Sequence, residues 1–127
     1  MELNQPDCAT NQVQYSLEER GVEWDLLPWC QQQRMPLMAY CPIGQGGALL
    51  RNRALREVAE RHGATPARVA LAWLIRQPGV IAIPKAVDAQ HIRDNAAALE
   101  LCLDADDLAR LDQAFPPPSR KRHLAVV

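Results

Sequence analysis

The segment VIAIPKAVDAQHIRDN, residues 80–95, ends an apolar, β-branched run in Pro-Lys and then places an Asp before a helix-like pattern. β-branched residues favour a strand, Pro84 ends it, and Asp88 is a preferred residue at a helix N-terminus. The pattern predicts a strand over 80–83, a tight turn, and a helix with Lys85 beside its start. Backbone amides at a helix start and a nearby cation suit a phosphate group, so this segment predicts a nucleotide ligand.

Length and composition restrict the class of protein. The chain has 127 residues, 48% hydrophobic and 23% charged, as in a soluble globular domain. A formal net charge of −1 gives no support to nucleic-acid binding. The basic cluster Arg120–His123 is interpreted as a solvated tail. No run approaches the ~20 apolar residues of a membrane span, and Met1–Asp7 lacks the regions of a signal peptide.

The cysteines indicate the compartment. Cys8, Cys30, Cys41 and Cys102 form no Cys-x-x-Cys pair and have no His at metal-ligand spacing. We therefore predict reduced thiols, no metal site and a cytoplasmic protein.

Upstream of the opening segment, strand-like and helix-like patterns alternate. Residues 9–17 alternate apolar and polar side chains, as in a short strand. Residues 24–33 predict a helix with Pro28 in its first turn, where proline is tolerated. Residues 35–41 are apolar on both faces, as expected for a strand buried in a parallel sheet, and a glycine-rich loop follows over 42–47.

Two helices are predicted between the second and third strands. The first covers about Ala54–His62 and is ended by Gly63. The second begins with Thr65 as N-cap and Pro66 at the first helical position, and stops before Pro78.

Two more helices are predicted after the third strand. One begins at Asp88 and extends to about Leu101, and the next has Asp104 and Asp107 at its start, where negative charge complements the helix dipole. Pro116–Pro118 ends the regular structure. Strands alternating with helices imply parallel βα units, but three strands are few for a parallel sheet, whose outer strands leave unpaired edges.

Several polar or aromatic residues are candidates for a ligand site, and each has an ordinary structural explanation. Tyr40 ends the second strand and suits stacking on a cofactor ring, or else is a core tyrosine. Gln12 lies on the first strand and pairs with a ligand amide or with neighbouring backbone. His91 and Asn95 bind a ligand or are simply polar helix residues. Lys85, taken alone, is also typical of an exposed turn.

The glycines of the 42–47 loop are a weaker signal. Gly44, Gly46 and Gly47 allow backbone to approach a diphosphate, but they lack the spacing of a dinucleotide-binding fingerprint.

Taken together, these elements resemble the C-terminal portion of an aldo-keto reductase, in the same order and over nearly the whole chain. The resemblance implies an α/β fold made of the C-terminal βα units of a (β/α)8 TIM barrel, with an incomplete barrel in this chain. Residues 1–127 would then be a single partial domain, the last three βα units plus a short tail. The motifs that carry the resemblance are NQVQY (11–15), LPWC (27–30), AYCPIG (39–44) and IPK (83–85), with Asn95 ten residues after the lysine.

The resemblance also implies a nicotinamide cofactor, NADP(H) with NAD(H) as the alternative, for the reduction of aldehydes or ketones. Gln12 would hold the nicotinamide carboxamide and Tyr40 would stack on the nicotinamide ring. Cys41, Ile43 and Gly44 would line the diphosphate by backbone contacts, with Cys41 at a position where the family often has Ser.

At the adenosine end, the resemblance assigns the 2′-phosphate to Lys85 and the adenine edge to Asn95. The family commonly has Ser where this chain has Ala86, and Arg where it has His91. Both changes remove 2′-phosphate contacts, because an Arg fork binds phosphate better than a neutral imidazole. The resemblance therefore implies that the chain uses NADP(H) and also NAD(H).

The family's catalytic Asp, Tyr, Lys and His belong to earlier strands of the barrel. Neither Tyr15 nor Tyr40 matches the proton donor, so no catalytic residue is assigned and the chain is expected to be inactive alone. The alternative is a non-enzymatic fragment that self-associates or pairs with a complementary N-terminal half through its open barrel edges.

Overall fold

The computed structural model describes residues 8–45 and 47–127. The predictions made for Met1–Asp7 and Gly46 lie outside the described residues. The three predicted strands form one parallel sheet in the order β1-β2-β3. The strands are β1 (Asn11–Gln14), β2 (Leu37–Tyr40) and β3 (Val80–Ile83).

Helices connect and follow these strands, as the sequence predicted. Short 3₁₀ turns occur at Gly21–Glu23, Leu49–Arg51 and Ala98–Glu100. The α-helices are α1 (Leu26–Gln32), α2 (Arg53–Arg61), α3 (Pro66–Ile75), α4 (Ala89–Ala97) and α5 (Ala105–Ala114).

The helix boundaries have the predicted chemical causes. The Thr65 hydroxyl accepts from the Arg68 amide at 3.1 Å, and Pro66 occupies the first turn of α3. Gly63 ends α2 with φ +57°, a conformation that favours glycine. Several elements are shorter than predicted, including β2, which spans Leu37–Tyr40 instead of 35–41. The β1 ladder ends at Gln14, and α4 tightens into the 3₁₀ turn after Ala97 instead of continuing to residue 101.

The two faces of the sheet differ in burial. The register aligns Leu37 with Val80, and Leu37 and Ala39 are fully buried beneath the helices. Side chains alternate across a strand, so the residues between them point to the other face. There, Ile81 is 47% exposed and Ile83 37% exposed. On β2 itself, Met38 and Tyr40 share that face and are only partly buried, so the expectation that the second strand is buried on both faces is wrong.

The hydrophobic core lies between the covered face of the sheet and the helices. Leu55 and Val58 of α2, Trp73 and Leu74 of α3, and Leu111 of α5 are all fully buried. Sheet and helices therefore share one core, and this core holds the strand ends in place.

A polar clasp joins α2 to α5. Asp107, fully buried, accepts from Arg61 and is paired with the His62 Nε2 atom, each at 2.6 Å. Asp104 and Asp107 also cap each other's backbone amides, a capping box. Burial raises the pKa of Asp107, but the His62 hydrogen bond, the Asp104 amide and the Arg61 charge lower it more, so its pKa lies below the ordinary value.

A second polar network lies beneath Trp73. The Tyr15 hydroxyl donates to Glu23 at 2.6 Å, and the Arg20 guanidinium donates to Glu23, Asp112 and the Phe115 carbonyl. The same guanidinium lies 4.9 Å from the Trp73 ring centroid. Burial and the Glu23 carboxylate raise the pKa of Tyr15 well above its ordinary range, so this phenol stays protonated.

No disulfide joins the four cysteines in the described structure. Cys30 is buried, and burial raises the pKa of its thiol, whereas Cys8 and Cys102 are exposed. Among the described helices, none is long and apolar enough to cross a membrane.

Candidate functional site

The predicted nicotinamide residues lie on the uncovered face of the sheet. Gln12 of β1 is aligned with Met38 of β2, and two residues further along, Gln14 is aligned with Tyr40. Gln12 is exposed and Tyr40 is partly buried. An amide and a phenol ring are thus presented on the same face, both reachable from solvent.

The chain turns sharply directly after Tyr40. Cys41 has φ +50° and Gly44 has φ +72°, and the Gly44 amide donates to the Cys41 carbonyl at 3.0 Å. A Cβ atom added at Gly44 would lie 2.9 Å from the Glu18 carboxylate and 3.3 Å from the Leu49 Cβ. Ile43 packs against the core. This turn holds the backbone of 41–44 in one fixed position at the end of the strand.

The third strand leads into the turn of residues 84–88, which contains Lys85 and precedes α4. Lys85 is exposed and Ala86 partly buried. The Asp88 carboxylate accepts from the amides of Gln90 and His91 at 2.8 and 3.2 Å. Asp88 is the predicted cap of α4. It accepts from the amides at the helix start that were predicted to bind a phosphate. Because Asp88 occupies two of the first-turn amides, the role falls mainly to side-chain cations.

His91 and Asn95, one turn apart on α4, line two different cavities. Asn95 lines a cavity of about 230 Å³ together with Ala82, Pro84 and Leu71. His91 is exposed and lines a larger, polar groove between α4 and the start of α3.

The structure thus arranges the predicted residues in two neighbouring groups. One group lies at the ends of β1 and β2, and the other follows β3. Tyr40 is aligned with Ile83, two residues before Lys85, so the groups adjoin at the same edge of the sheet.

Three residues that were not predicted from the sequence lie in the groove with His91. Arg68 donates through Nε to Asp94 at 2.9 Å, and the Thr65 hydroxyl donates to the other oxygen of the same carboxylate. Thr65 and Arg68 belong to α3 and its cap, whereas Asp94 belongs to α4. No spacing within either helix signals this contact, because it depends on how the two helices pack.

The C-terminal tail returns to the same edge of the sheet. Lys121 pairs with Asp25 at 2.8 Å, and the Tyr40 hydroxyl donates to the Ala125 carbonyl at 3.4 Å. The tail therefore passes beside the predicted nicotinamide position.

Comparison with known proteins identifies relatives over almost all of this sequence. The model of the aldo/keto reductase family matches residues 1–115. The methylglyoxal reductase YeaE of Escherichia coli K12 is 52% identical over 124 residues, which is 94% of this chain and 44% of that protein. The glyoxal reductase of Bacillus subtilis 168 is 34% identical over 102 residues, 80% of this chain and 36% of that protein.

Solved structures give the same result for the fold. An aldo-keto reductase from Klebsiella pneumoniae, in complex with NADPH, matches with a TM-score of 0.93 at 50% identity, over 96% of this chain and 44% of that one. The chain thus spans less than half the length of these relatives.

Proposed function

This chain belongs to the aldo/keto reductase family, and from that premise we propose that it is the cofactor-binding part of an NAD(P)H-dependent carbonyl reductase. The observation that carries the proposal is the match, over 96% of the chain, to a relative solved in complex with NADPH. The α/β fold agrees with it, since three parallel βα units are what the C-terminal portion of a (β/α)8 barrel contributes. We propose that residues 1–127 form one partial domain of such a barrel.

The proposed roles follow the two groups of residues. Gln12 holds the nicotinamide carboxamide, Tyr40 stacks on the ring, and the backbone of Cys41, Ile43 and Gly44 lines the diphosphate. The fixed turn after β2 supports the last role, because a preorganised backbone loses little freedom on binding.

At the adenosine end, Lys85 meets the 2′-phosphate and Asn95 the adenine edge. Ala86 and His91 contribute less than the family's Ser and Arg would. We therefore propose a preference for NADP(H) with measurable binding of NAD(H).

The bound cofactor supplies a hydride, and the reaction then needs a proton donor for the carbonyl oxygen. Tyr15 is fully buried and donates to Glu23, and Tyr40 lies at the proposed ring position. Neither is placed to donate a proton to a substrate, so we propose that turnover requires residues beyond these 127. By similarity to the methylglyoxal reductase of E. coli, the substrate of the whole protein is a short 2-oxoaldehyde.

The test is a titration with NADPH and NADH, followed by tryptophan fluorescence. Lys85→Gln should weaken NADPH binding by about fivefold, as expected for an exposed ion pair, and leave NADH nearly unchanged. Arg56→Gln removes the same charge from an exposed residue of α2, away from the proposed site, and is the matched control. The absence of a saturable signal with either dinucleotide would refute the proposal.

The uncovered face of the sheet supports a second candidate, a role in assembly. Ile81 and Ile83 expose apolar surface there, and the outer strands β1 and β3 each have one edge without a partner strand in the described structure. We propose that this face pairs with a second copy or with a complementary N-terminal half.

Light scattering after size exclusion, with and without the N-terminal part of the E. coli relative, tests the second candidate. A monomer that remains unchanged in both experiments would exclude it. Reductase activity on mixing would favour the complementary half over the second copy.

A further inference from the structure

A polar groove of about 540 Å³ lies between the start of α3 and the outer side of α4. The groove includes His91. At this position the resemblance implies an Arg that would contact the 2′-phosphate, and this chain has a histidine instead. Its polar lining consists of Thr65, Arg68, Gln90, His91, Arg93 and Asp94.

Within this groove, the Arg68 guanidinium is held in place. Its Nε and Nη2 atoms both donate to one oxygen of Asp94, and the Thr65 hydroxyl donates to the other. The side chain of Arg68 is 30% exposed and that of Asp94 is 15% exposed. An ion pair shielded to this degree fixes the orientation of the guanidinium while leaving part of it open to the groove.

The guanidinium of Arg68 has N–H groups that are not used in the contact with Asp94. A guanidinium carries five N–H groups, and the bonds to Asp94 use two of them. In the described part of the chain, no other hydrogen bond engages the Arg68 side chain. The remaining N–H groups can meet the oxygens of a phosphate, the geometry for which Arg is suited.

The other groups near this end leave a phosphate short of donors. Asp88 caps the amides of Gln90 and His91, and Lys85 offers a single point charge. Arg68 also neutralises Asp94, the carboxylate that would otherwise repel an anion in the groove.

We propose that Arg68, oriented by Asp94 and Thr65, contacts the adenosine 2′-phosphate and restores the selectivity for NADP(H) that His91 and Ala86 reduce. This inference rests on the proposed function. It adds a residue on the neighbouring helix to the adenosine end of the site.

Calorimetric titration with 2′,5′-ADP and 5′-AMP tests this directly, because the two probes differ at the 2′-phosphate. Arg68→Gln should weaken 2′,5′-ADP binding about tenfold, the effect of losing a charged hydrogen bond, and change 5′-AMP binding by less than about threefold. Arg53→Gln is the matched control, since it removes the same charge from an exposed Arg–Glu pair on α2. It should leave both affinities unchanged.

A purely structural role would give a different result. If Arg68→Gln acts only by leaving Asp94 unpaired, the double variant Arg68→Gln/Asp94→Asn should recover 2′,5′-ADP binding, which would overturn the inference. If the double variant still binds 2′,5′-ADP weakly and its thermal unfolding curve is unchanged, the inference is supported. Equal loss for both probes, no loss, or no binding of 2′,5′-ADP by the wild type also overturns it.

Failure of the proposed function is distinguishable. If the proposed function fails and the inference holds, the protein does not bind NADPH but still binds 2′,5′-ADP, and Arg68→Gln weakens that binding.

Discussion

At the scale of single residues, Asp107 shows how a buried charge is made stable. Its carboxylate has no exposed surface, yet it pairs with Arg61 and His62 and accepts from the Asp104 amide. A buried carboxylate without these partners would be costly, and the lowered pKa reflects their combined effect.

The Asp107 pKa predicts a dependence of stability on pH. Because the folded-state pKa lies below the unfolded value of about 3.9, the stabilisation is complete above that pH and is lost as pH falls through the folded-state value. Asp107→Asn should lower the free energy of unfolding by about 1–3 kcal/mol at pH 7 and flatten its fall below pH 4. Urea unfolding at several pH values measures both.

Asp106→Asn is the control for this experiment, since Asp106 occupies the same first turn of α5 and is exposed. If both variants keep the same acid dependence as the wild type, Asp107 does not control it.

At the scale of elements, local chemistry predicted most of the helix and strand positions. Thr65 and Asp88 cap helices as predicted, because N-cap preference depends only on neighbouring residues. Asp104, predicted only to place negative charge at a helix start, is the N-cap of α5. The end of α4 was not predictable in the same way. The residues 98–100 keep an apolar pattern, but tertiary packing of Ala98 against α3 decides where the helix tightens.

The sequence predicted part of the candidate site. Tyr40 and Lys85 follow from strand ends, and parallel strands bring those ends to one edge. The pairing of Arg68 with Asp94 was not predictable, since it joins two helices separated by a strand.

The cap of α4 gives a prediction at this scale. Asp88→Ala should lower the free energy of unfolding by about 1 kcal/mol, because the Gln90 and His91 amides lose their acceptor. Asp88→Ser keeps a capping oxygen and should cost only a few tenths of a kcal/mol by the same principle. Chemical denaturation of the two variants compares them, and equal losses would show that the negative charge, not the cap, matters.

At the scale of the whole molecule, the sheet has one face covered by helices and one uncovered face. Leu37 points into the core, and Ile81, on the neighbouring strand, points to the uncovered side. In a closed barrel that side is interior, packed with side chains from the remaining strands. The sequence of β2, apolar at every position, is therefore that of a strand which is covered on both faces in its full assembly.

The two faces should respond oppositely to substitution. Ile81→Gln should change the free energy of unfolding of the isolated chain by less than about 0.5 kcal/mol and reduce binding of a hydrophobic dye. Leu37→Ala, on the covered face, should cost about 2–5 kcal/mol. A large loss of stability in Ile81→Gln would instead show that a partner or second copy covers this face in solution.

The course of the tail bears on how the protein is handled. Ala125 accepts from Tyr40, so any affinity tag or surface linker fused after Val127 would start beside the proposed nicotinamide position. Thr10 lies at the opposite edge of the sheet, where its hydroxyl donates to the Pro36 carbonyl ahead of β2. Immobilisation near Thr10 would therefore leave the ligand edge free. Binding data from a C-terminally fused protein would report the fusion as well as the ligand.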